Sequence, residues 1–294
     1  MNRSAHAFRK MNGLGNDFAV LDVRLSGLRV DPVYARRIAD RTGGVGCDQV
    51  IVIEPSERAD AFMRILNPDG SEVDACGNGT RCVAALLAVE HGRNDVSIET
   101  GAGILRGTVR EGGAVTIDMG PPRLGWQDIP LARAFNDTAT LDVSFDGGEA
   151  GPLSAPGAVN MGNPHCVFIV ADTGRYDLAA IGPRIEHDLL FPERVNVSLA
   201  QVLERGAIRL VVWERGAGLT RACGTAACAA AIAATRKGLT GRKVSVGLPG
   251  GNLDIEWRAT DDHILMTGPW QLDYEGVFEF DRRPWQVNAD TSGS

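Results

Sequence analysis

The fold of this chain is most readable in ACGNGTRCVAALLAVEHG, residues 75–92. A polar loop with two glycines runs directly into an apolar segment with no polar face, so the segment is predicted to form a helix that is buried on nearly every side. Cys76 stands where this helix begins. The first N–H groups of a helix lack partners within the helix and carry partial positive charge, so this position is expected to favour a thiolate or a bound anion.

The same pattern returns 147 residues later in ACGTAACAAAIAATRKG, residues 222–238, which places Cys223 at the start of a second apolar helix. Polar positions repeat at this offset as well. GLGND lies over NMGNP, Gln49 falls on Asn196, and Asn67 falls on Glu214. With one further residue of offset, VSIETGAGIL matches VSVGLPGGNL. The sequence therefore indicates two homologous halves, because polar residues match along with the small ones.

Each half is predicted to contain short β-strands and two helices. The predicted strands are the β-branched runs DFAVLDVR, QVIVIEP, AFMRILN, VSIET, GTVR and AVTIDMG, then CVFIVAD, IRLVVWERG, VSVGLP, LDIEWRA and HILMTG. The helices are predicted at residues 33–41, 79–91, 178–189 and 225–237.

A sheet that curls around one central helix can bury that apolar helix with few residues. We therefore predict an α+β fold of two pseudo-symmetric domains, each a mostly antiparallel, barrel-like sheet around a central apolar helix. The predicted N-terminal half is residues 1–121, joined by C-terminal strands at 271–282, and the C-terminal half is residues 122–270. Residues 120–130 are predicted to supply the linker, and residues 283–294 a polar tail.

The composition narrows the choice of partner. The chain has 294 residues and a formal charge of −7, which disfavours nucleic acids and anionic membranes and favours a small polar substrate. No apolar stretch approaches the roughly 18 residues of a membrane span, and the first residues lack a signal-peptide pattern. We expect a cytoplasmic protein with no nucleic-acid or membrane partner. Its six cysteines would be reduced there, so each is a core residue, a ligand or a reactive thiol.

If a pseudo-two-fold axis relates the halves, Cys76 and Cys223 face each other across the cleft between them. Such a pair suits a two-base reaction, in which a thiolate removes a proton from carbon and a thiol delivers one to the opposite face. Pyridoxal phosphate is the usual electron sink for the carbanion. The chain has only three lysines, however, and Lys237 and Lys243 lie in an exposed-looking helix end and turn. No cofactor is expected, and the helix N-termini would hold the substrate carboxylate instead.

The segments MNGLGNDF, NPDGSEVDACGNGTRC, NMGNPHCVF, FPERVN and WERGAGLTRACGTAAC closely resemble the diaminopimelate epimerase family, over residues 8 to about 280. The resemblance implies a cofactor-independent isomerase that interconverts LL- and meso-2,6-diaminopimelate on the route to lysine and peptidoglycan. It is also the only ground for expecting a homodimer. Two departures stand out: Asn12 replaces an expected histidine, and DRTGGVGCDQ lacks the histidine often found after the arginine.

Carried over motif by motif, the resemblance makes Cys76 and Cys223 the acid/base pair. It implies that His165 and Glu214 also matter for activity. Arg215 is the expected partner of a substrate carboxylate. The implied substrate-binding residues are Asn16, Gln49, Asn67, Gly77, Asn78, Asn163, Asn196, Glu214, Arg215, Gly224 and Thr225.

Other interpretations stay open. Cys82 and Cys228 lie inside the apolar helices and are expected to be core thiols. A zinc site built from the four helix cysteines fails on spacing, so no metal is predicted. Proline racemases and hydroxyproline epimerases share the paired cysteines, but they resemble CGHG where this chain has CGNG and need no cage for a distal amino acid. A non-enzymatic redox or metal-binding thiol protein is the third hypothesis, and it predicts cysteines that are close in sequence or on one face.

Overall fold

Two helices with almost no polar face lie at the centre of the fold, one in each half of the chain. In the computed structural model, which describes residues 4–280, they are α2 (Gly77–His91) and α4 (Gly224–Arg236). Every residue of α4 from 226 to 234 is buried, as are most of the first twelve residues of α2. Gly92 ends α2 in the left-handed conformation, at φ 63°. Both predicted central helices are confirmed.

Two shorter helices cover the outside of the sheet. They are α1 (Pro32–Ala39) and α3 (Leu178–Glu186), each capped at its N-terminus by an aspartate, Asp31 or Asp177, whose carboxylate accepts backbone N–H groups of the first turn. Both end two to three residues before the predicted limits. Each buries one apolar face in a satellite core of its own half, which is typical of an amphipathic surface helix.

The rest of the described chain is mostly strand. The strands are β1 (Ser4–Gly13), β2 (Asn16–Asp22), β3 (Gln49–Glu54), β4 (Ala61–Leu66), β5 (Glu72–Val73), β6 (Asp95–Thr100), β7 (Gly103–Val109), β8 (Val115–Asp118), β9 (Ser144–Phe145), β10 (Leu153–Ser154), β11 (Gly157–Asn160), β12 (Pro164–Ile169), β13 (Asn196–Glu204), β14 (Ala207–Glu214), β15 (Gly218–Thr220), β16 (Lys243–Leu248), β17 (Gly251–Trp257), β18 (Ile264–Gly268) and β19 (Gln271–Phe280). Within residues 4–280, seventeen strands form one continuous sheet, and β9 pairs with β10 separately.

The strand register repeats between the halves as the sequence repeat predicts. β2 and β3 are parallel with Phe18 opposite Gln49, and β12 and β13 are parallel with His165 opposite Asn196. Both residues of the second pair lie 147 positions after their counterparts. The β6–β7 and β16–β17 hairpins correspond with one more residue of offset, which matches the slippage seen in the sequence. The α+β fold with a sheet around each central helix is confirmed.

The two halves share strand pairings. β8 pairs with β18, and β19 pairs with β1 from the first described residues of the chain, so the last described strand lies in the first half. Part of the predicted linker is core rather than connection, since Ile129 is buried with Leu131 and Leu141 in the second half. The domain boundaries stay a prediction. The tail at 283–294 and the end of the segment 271–282 lie outside the described residues.

None of the helices between residues 4 and 280 is long and apolar enough to cross a membrane.

Candidate active site

The two central helices come together at their N-terminal ends. A Cβ atom placed on Gly224 would lie 4.0 Å from the Cα of Gly77. The same Cβ would lie 2.8 Å from Met266 Sδ, and one on Gly77 would lie 2.7 Å from Met266 Cε. A Cβ at either position would push the end of the Met266 side chain aside, so glycine leaves room for that side chain between the two helix ends. The free N–H groups of both helices therefore converge on one place.

Each helix has one of the paired cysteines as its N-cap residue. Cys76 is partly exposed, and its Sγ accepts a hydrogen bond from the N–H of Gly79 at 3.5 Å. Cys223 is buried, and its Sγ lies 3.5 Å from Thr225 Oγ1. All six cysteines are free thiols. The structure thus places both predicted acid/base residues at equivalent positions around the pseudo-two-fold axis.

The two thiols resist ionisation in the unliganded site. Burial raises the pKa of Cys76 to about 11, and the nearby Glu214 carboxylate adds to the rise. Burial also raises the pKa of Cys223 well above its ordinary value, again with a contribution from Glu214. The expectation that helix position alone would favour a thiolate is therefore wrong here, because desolvation outweighs the helix N–H groups.

Glu214 connects the second thiol to the cleft. It stands at the end of β14, its carboxylate accepts a hydrogen bond from the Thr220 hydroxyl, and its charge raises the pKa of the Cys223 thiol. Burial raises the pKa of Glu214. A carboxylate close to a thiol can take up the proton of that thiol, so Glu214 is a candidate for a part in proton transfer.

A cleft of about 930 Å³ lies between the halves. Asn16, Gln49 and Asn67 line it from the first half and Glu214 from the second. The Gln49 amide donates to Asn67 Oδ1 at 3.1 Å, and the Asn16 amide donates to Asp48 at 3.0 Å. These four predicted residues share one cavity. Cys76 lies behind its wall, with Sγ 3.8 Å from Asn16 Oδ1.

Four other predicted side chains form a second group that does not line this cleft: His165, Asn163, Asn196 and Arg215. His165 Nε2 lies 2.8 Å from Asn163 Oδ1, and the Asn196 amide donates to the Pro164 carbonyl at 2.9 Å. Asn196 Oδ1 accepts the backbone N–H of Arg215 at 3.0 Å. Asn196 therefore positions Arg215 here, because both of its polar atoms already have partners in the protein.

His165 is completely buried, and its Nδ1 has no hydrogen-bond partner among the described residues. Burial lowers the pKa of His165 to about 3, and the charge of Arg215 adds to this effect. The imidazole is therefore neutral at physiological pH. The structure favours an orienting role for it over that of a charged acid.

A charged network on the cleft wall was not found from the sequence. Arg41 pairs with Asp17 and Asp48, and Lys10 pairs with Asp17 and the Gly46 carbonyl. Burial would raise the pKa of Asp17, but hydrogen bonds from Arg41 and Lys10 outweigh it and hold that pKa well below its usual range. The network holds Asp48 in place, and Asp48 in turn accepts a hydrogen bond from the Asn16 amide. The only sequence signal was the position of Asp48 beside Gln49.

Between residues 4 and 280, no three His, Cys, Asp or Glu side chains are grouped as a metal site would require.

Comparison with known proteins agrees with the site. The sequence model described as "Diaminopimelate epimerase" matches residues 8–125 and 157–272. The diaminopimelate epimerase of Rhodospirillum centenum is 52% identical over 286 residues, covering 97% of this chain and 96% of the relative. That of Erythrobacter litoralis is 54% identical over 275 residues, covering 93% of this chain and 97% of the relative.

Solved structures support the fold alone. A PhzF-family phenazine biosynthesis protein from Bacillus anthracis superposes with a TM-score of 0.66 at 17% identity, covering 94% of this chain and 99% of that protein. A hydroxyproline epimerase from Agrobacterium vitis superposes with a TM-score of 0.66 at 16% identity, covering 94% and 93%. The extent of the family match and the identity to these relatives show that this chain belongs to the diaminopimelate epimerase family.

Proposed function

We propose that this protein is a diaminopimelate epimerase, an isomerase that interconverts LL- and meso-2,6-diaminopimelate without a cofactor by two-base proton transfer between thiols. Family membership supports the reaction. The observation that supports the mechanism is the pair of cysteines, Cys76 and Cys223, which cap two helices whose N-terminal ends meet.

In the proposed reaction the substrate α-carbon lies between the two sulfur atoms. One thiolate takes the α-proton, and the electron pair of the broken C–H bond spreads into the α-carboxylate. The opposite thiol then forms a new C–H bond on the other face and becomes the thiolate. In the reverse direction the two cysteines exchange roles. N–H groups at the two helix ends, on Gly77, Asn78, Gly224 and Thr225, hold the carboxylate while its charge rises.

The substrate itself is expected to help ionise the pair. Its α-ammonium enters a site where the Glu214 carboxylate adds to the rise in the pKa of each thiol. A cation beside a thiol favours the thiolate. Glu214 raises the pKa of Cys223 and is proposed to act with it. His165 is proposed to act as a neutral group that orients Asn163.

The distal end of the substrate is proposed to bind the amide groups of Gln49 and Asn67 and the guanidinium of Arg215. A guanidinium has five N–H donors. That of Arg215 donates from Nη1 to the Glu193 carbonyl at 2.9 Å, which leaves donors for a carboxylate. A substrate that spans both groups would have to draw them together across the cleft. The proposed contacts therefore include a closing movement of the halves.

We also propose that the protein works in the cytoplasm, where its thiols stay reduced. The homodimer implied by the resemblance stays a prediction.

The direct test is conversion of LL-diaminopimelate by the reduced, chelator-treated protein. Cys76→Ala and Cys223→Ala should each lose activity by at least about 10³-fold, as expected for removal of an essential acid or base. Cys82→Ala and Cys228→Ala are matched controls, since both remove a buried thiol from the same helices. An inert wild type that racemises proline or hydroxyproline instead would refute the proposed substrate and the distal contacts.

A further inference from the structure

Arg81 is a charged side chain that the fold buries completely, one turn after the start of α2. Its Nη2 donates to Asn78 Oδ1 at 2.9 Å, and its Nε donates to the Pro269 carbonyl at 3.2 Å. Its Nη1 lies 3.9 Å from Met266 Sδ. These partners are neutral. Burial of a cation whose partners are all neutral costs free energy, so the presence of Arg81 at this position points to a functional role.

The acidic groups that act on Arg81 are thiols. Burial lowers the pKa of Arg81, and Cys82, Cys76 and Cys228 act against that change, with no carboxylate among them. A guanidinium stays charged even so. Within the described residues Arg81 is thus a permanent positive charge that no contacting carboxylate neutralises. In a low-dielectric interior its field extends to nearby groups that can become negative.

Asn78 connects Arg81 to both reactive thiols. Because the Asn78 oxygen accepts from Arg81, its nitrogen faces the other way and donates to Asn16 Oδ1 at 3.2 Å and to the Ala222 carbonyl at 3.3 Å. Asn16 Oδ1 is the atom 3.8 Å from Cys76 Sγ, and Ala222 directly precedes Cys223. One amide, oriented by Arg81, therefore braces the surroundings of both sulfur atoms.

The charge breaks the symmetry of the site. The position in α4 that corresponds to Arg81 is Cys228, which brings no charge. Conversely, the Glu214 carboxylate is the charged group that raises the pKa of Cys223. The groups that face Cys76 are Arg81 and Cys82 from α2, Glu214 from β14, and the N–H groups of Asn78 and Gly79. The Glu214 carboxylate thus acts on both thiols, whereas the Arg81 cation acts on Cys76 and opposes that effect there.

We propose that Arg81 is a positioning residue that fixes the amide of Asn78 and makes Cys76, rather than Cys223, the first of the two thiols to ionise. The role in the reaction rests on the proposed epimerase function. The order of ionisation does not, because it is a property of the unliganded protein.

The test is the pH dependence of alkylation by iodoacetamide, followed at each cysteine by peptide mass spectrometry. In the wild type, Cys76 should react with a lower apparent pKa than Cys223. Arg81→Met should raise the apparent pKa of Cys76 by about one unit or more and move that of Cys223 less, as expected for loss of a nearby charge. Arg81→Lys should keep the wild-type order. Arg64→Met is the matched control, because it removes a mostly buried arginine outside the site.

Cys47, Cys82, Cys166 and Cys228 are at most 2% exposed, less than Cys223 at 5%, so alkylation at those four cysteines reports unfolding, and rates at Cys76 and Cys223 are compared only in samples where those four stay unmodified. If Arg81→Met does not fold, the proposal is still tested by the order in which Cys76 and Cys223 ionise in the wild type and in Arg81→Lys. Ionisation of Cys223 before Cys76 in the wild type would overturn the proposal, as would an equal shift at both thiols in Arg81→Met. In the epimerase assay Arg81→Met should lower kcat/KM by about 10- to 100-fold, mainly through kcat, as expected for a misplaced reactive group. A wild type without epimerase activity would refute the proposed function and leave the ionisation order to be judged by alkylation.

Discussion

Replacement of Glu186 is expected to disturb both stability and substrate binding. Glu186 is 2% exposed at the end of α3. Its carboxylate accepts Trp213 Nε1–H at 2.7 Å and the Gly216 N–H at 3.0 Å. Trp213 and Gly216 flank Glu214 and Arg215 in the chain, so one carboxylate holds both sides of the turn that carries these two predicted site residues.

The size of the effect follows from the donors left without partners. Each buried donor without a partner costs about 1–3 kcal/mol. Glu186→Ala strands the partly buried Trp213 donor, whereas the exposed Gly216 N–H can donate to water, so the free energy of unfolding should fall by about 1–3 kcal/mol. Glu186→Gln keeps one acceptor and should lose about half as much. Because Arg215 is proposed to hold the remote carboxylate, KM should rise by more than kcat falls.

Urea unfolding and steady-state kinetics measure the two effects. Asp146→Ala is the matched control, because its 71%-exposed side chain pairs with Arg184 on the same helix and should contribute less than about 1 kcal/mol. Equal losses of stability in Glu186→Ala and Asp146→Ala would refute the reasoning about stability. A folded Glu186→Ala with unchanged KM would refute the proposed link to Arg215.

Further predictions concern buried groups. His165 has a folded-state pKa of about 3, below its unfolded value, so unfolding should take up a proton as pH falls below about 6.5 and stability should decline by about 1.4 kcal/mol per pH unit. Urea unfolding of the wild type between pH 7 and 5 should show this slope and His165→Gln should lack it; parallel slopes would contradict the assignment. Cys82→Ala and Cys228→Ala should stay active within about threefold while lowering stability by about 1–3 kcal/mol, measured by kinetics and urea unfolding; loss of activity in the folded variants would make them participants. Gly182→Ala places a Cβ 2.5 Å from Trp213 Cγ and should lower stability by about 1–3 kcal/mol in urea, whereas a neutral effect would mean that the α3–β14 contact is loose.

The central helices and the repeat could be predicted because their signals are local. An apolar run without a polar face has few alternatives to burial, and two copies of one pattern fix the symmetry. The strands that were not predicted are β1, β5, β9, β10, β11, β13 and β15. β1, SAHAFRKMNG, has little apolar alternation and is held by pairing with β19 at the other end of the described chain. Such long-range pairing leaves no trace in a sequence window.

The residues of the site also fall into two groups, those that a local sequence pattern reveals and those that depend on long-range contacts. The thiols at the helix ends follow from motif and position, and the structure places them there. The roles of Arg81 and Glu186 depend on contacts with residues distant in sequence, so no spacing reveals them. The direction of the thiol pKa shifts was predicted wrongly, since the depth of burial that dominates it is a tertiary property.

Deuterium incorporation during the first turnovers tests the two-thiol account most directly. With LL-diaminopimelate in deuterated water, each thiol exchanges its proton with solvent while the site is empty. The account predicts that newly formed meso product carries one α-deuterium, because the opposite sulfur delivers a deuteron taken from solvent. The remaining LL substrate should carry almost none, because the sulfur that removed the proton can return only that same proton. Equal deuterium in substrate and product, or product that retains the original proton, would indicate a single base and contradict the account.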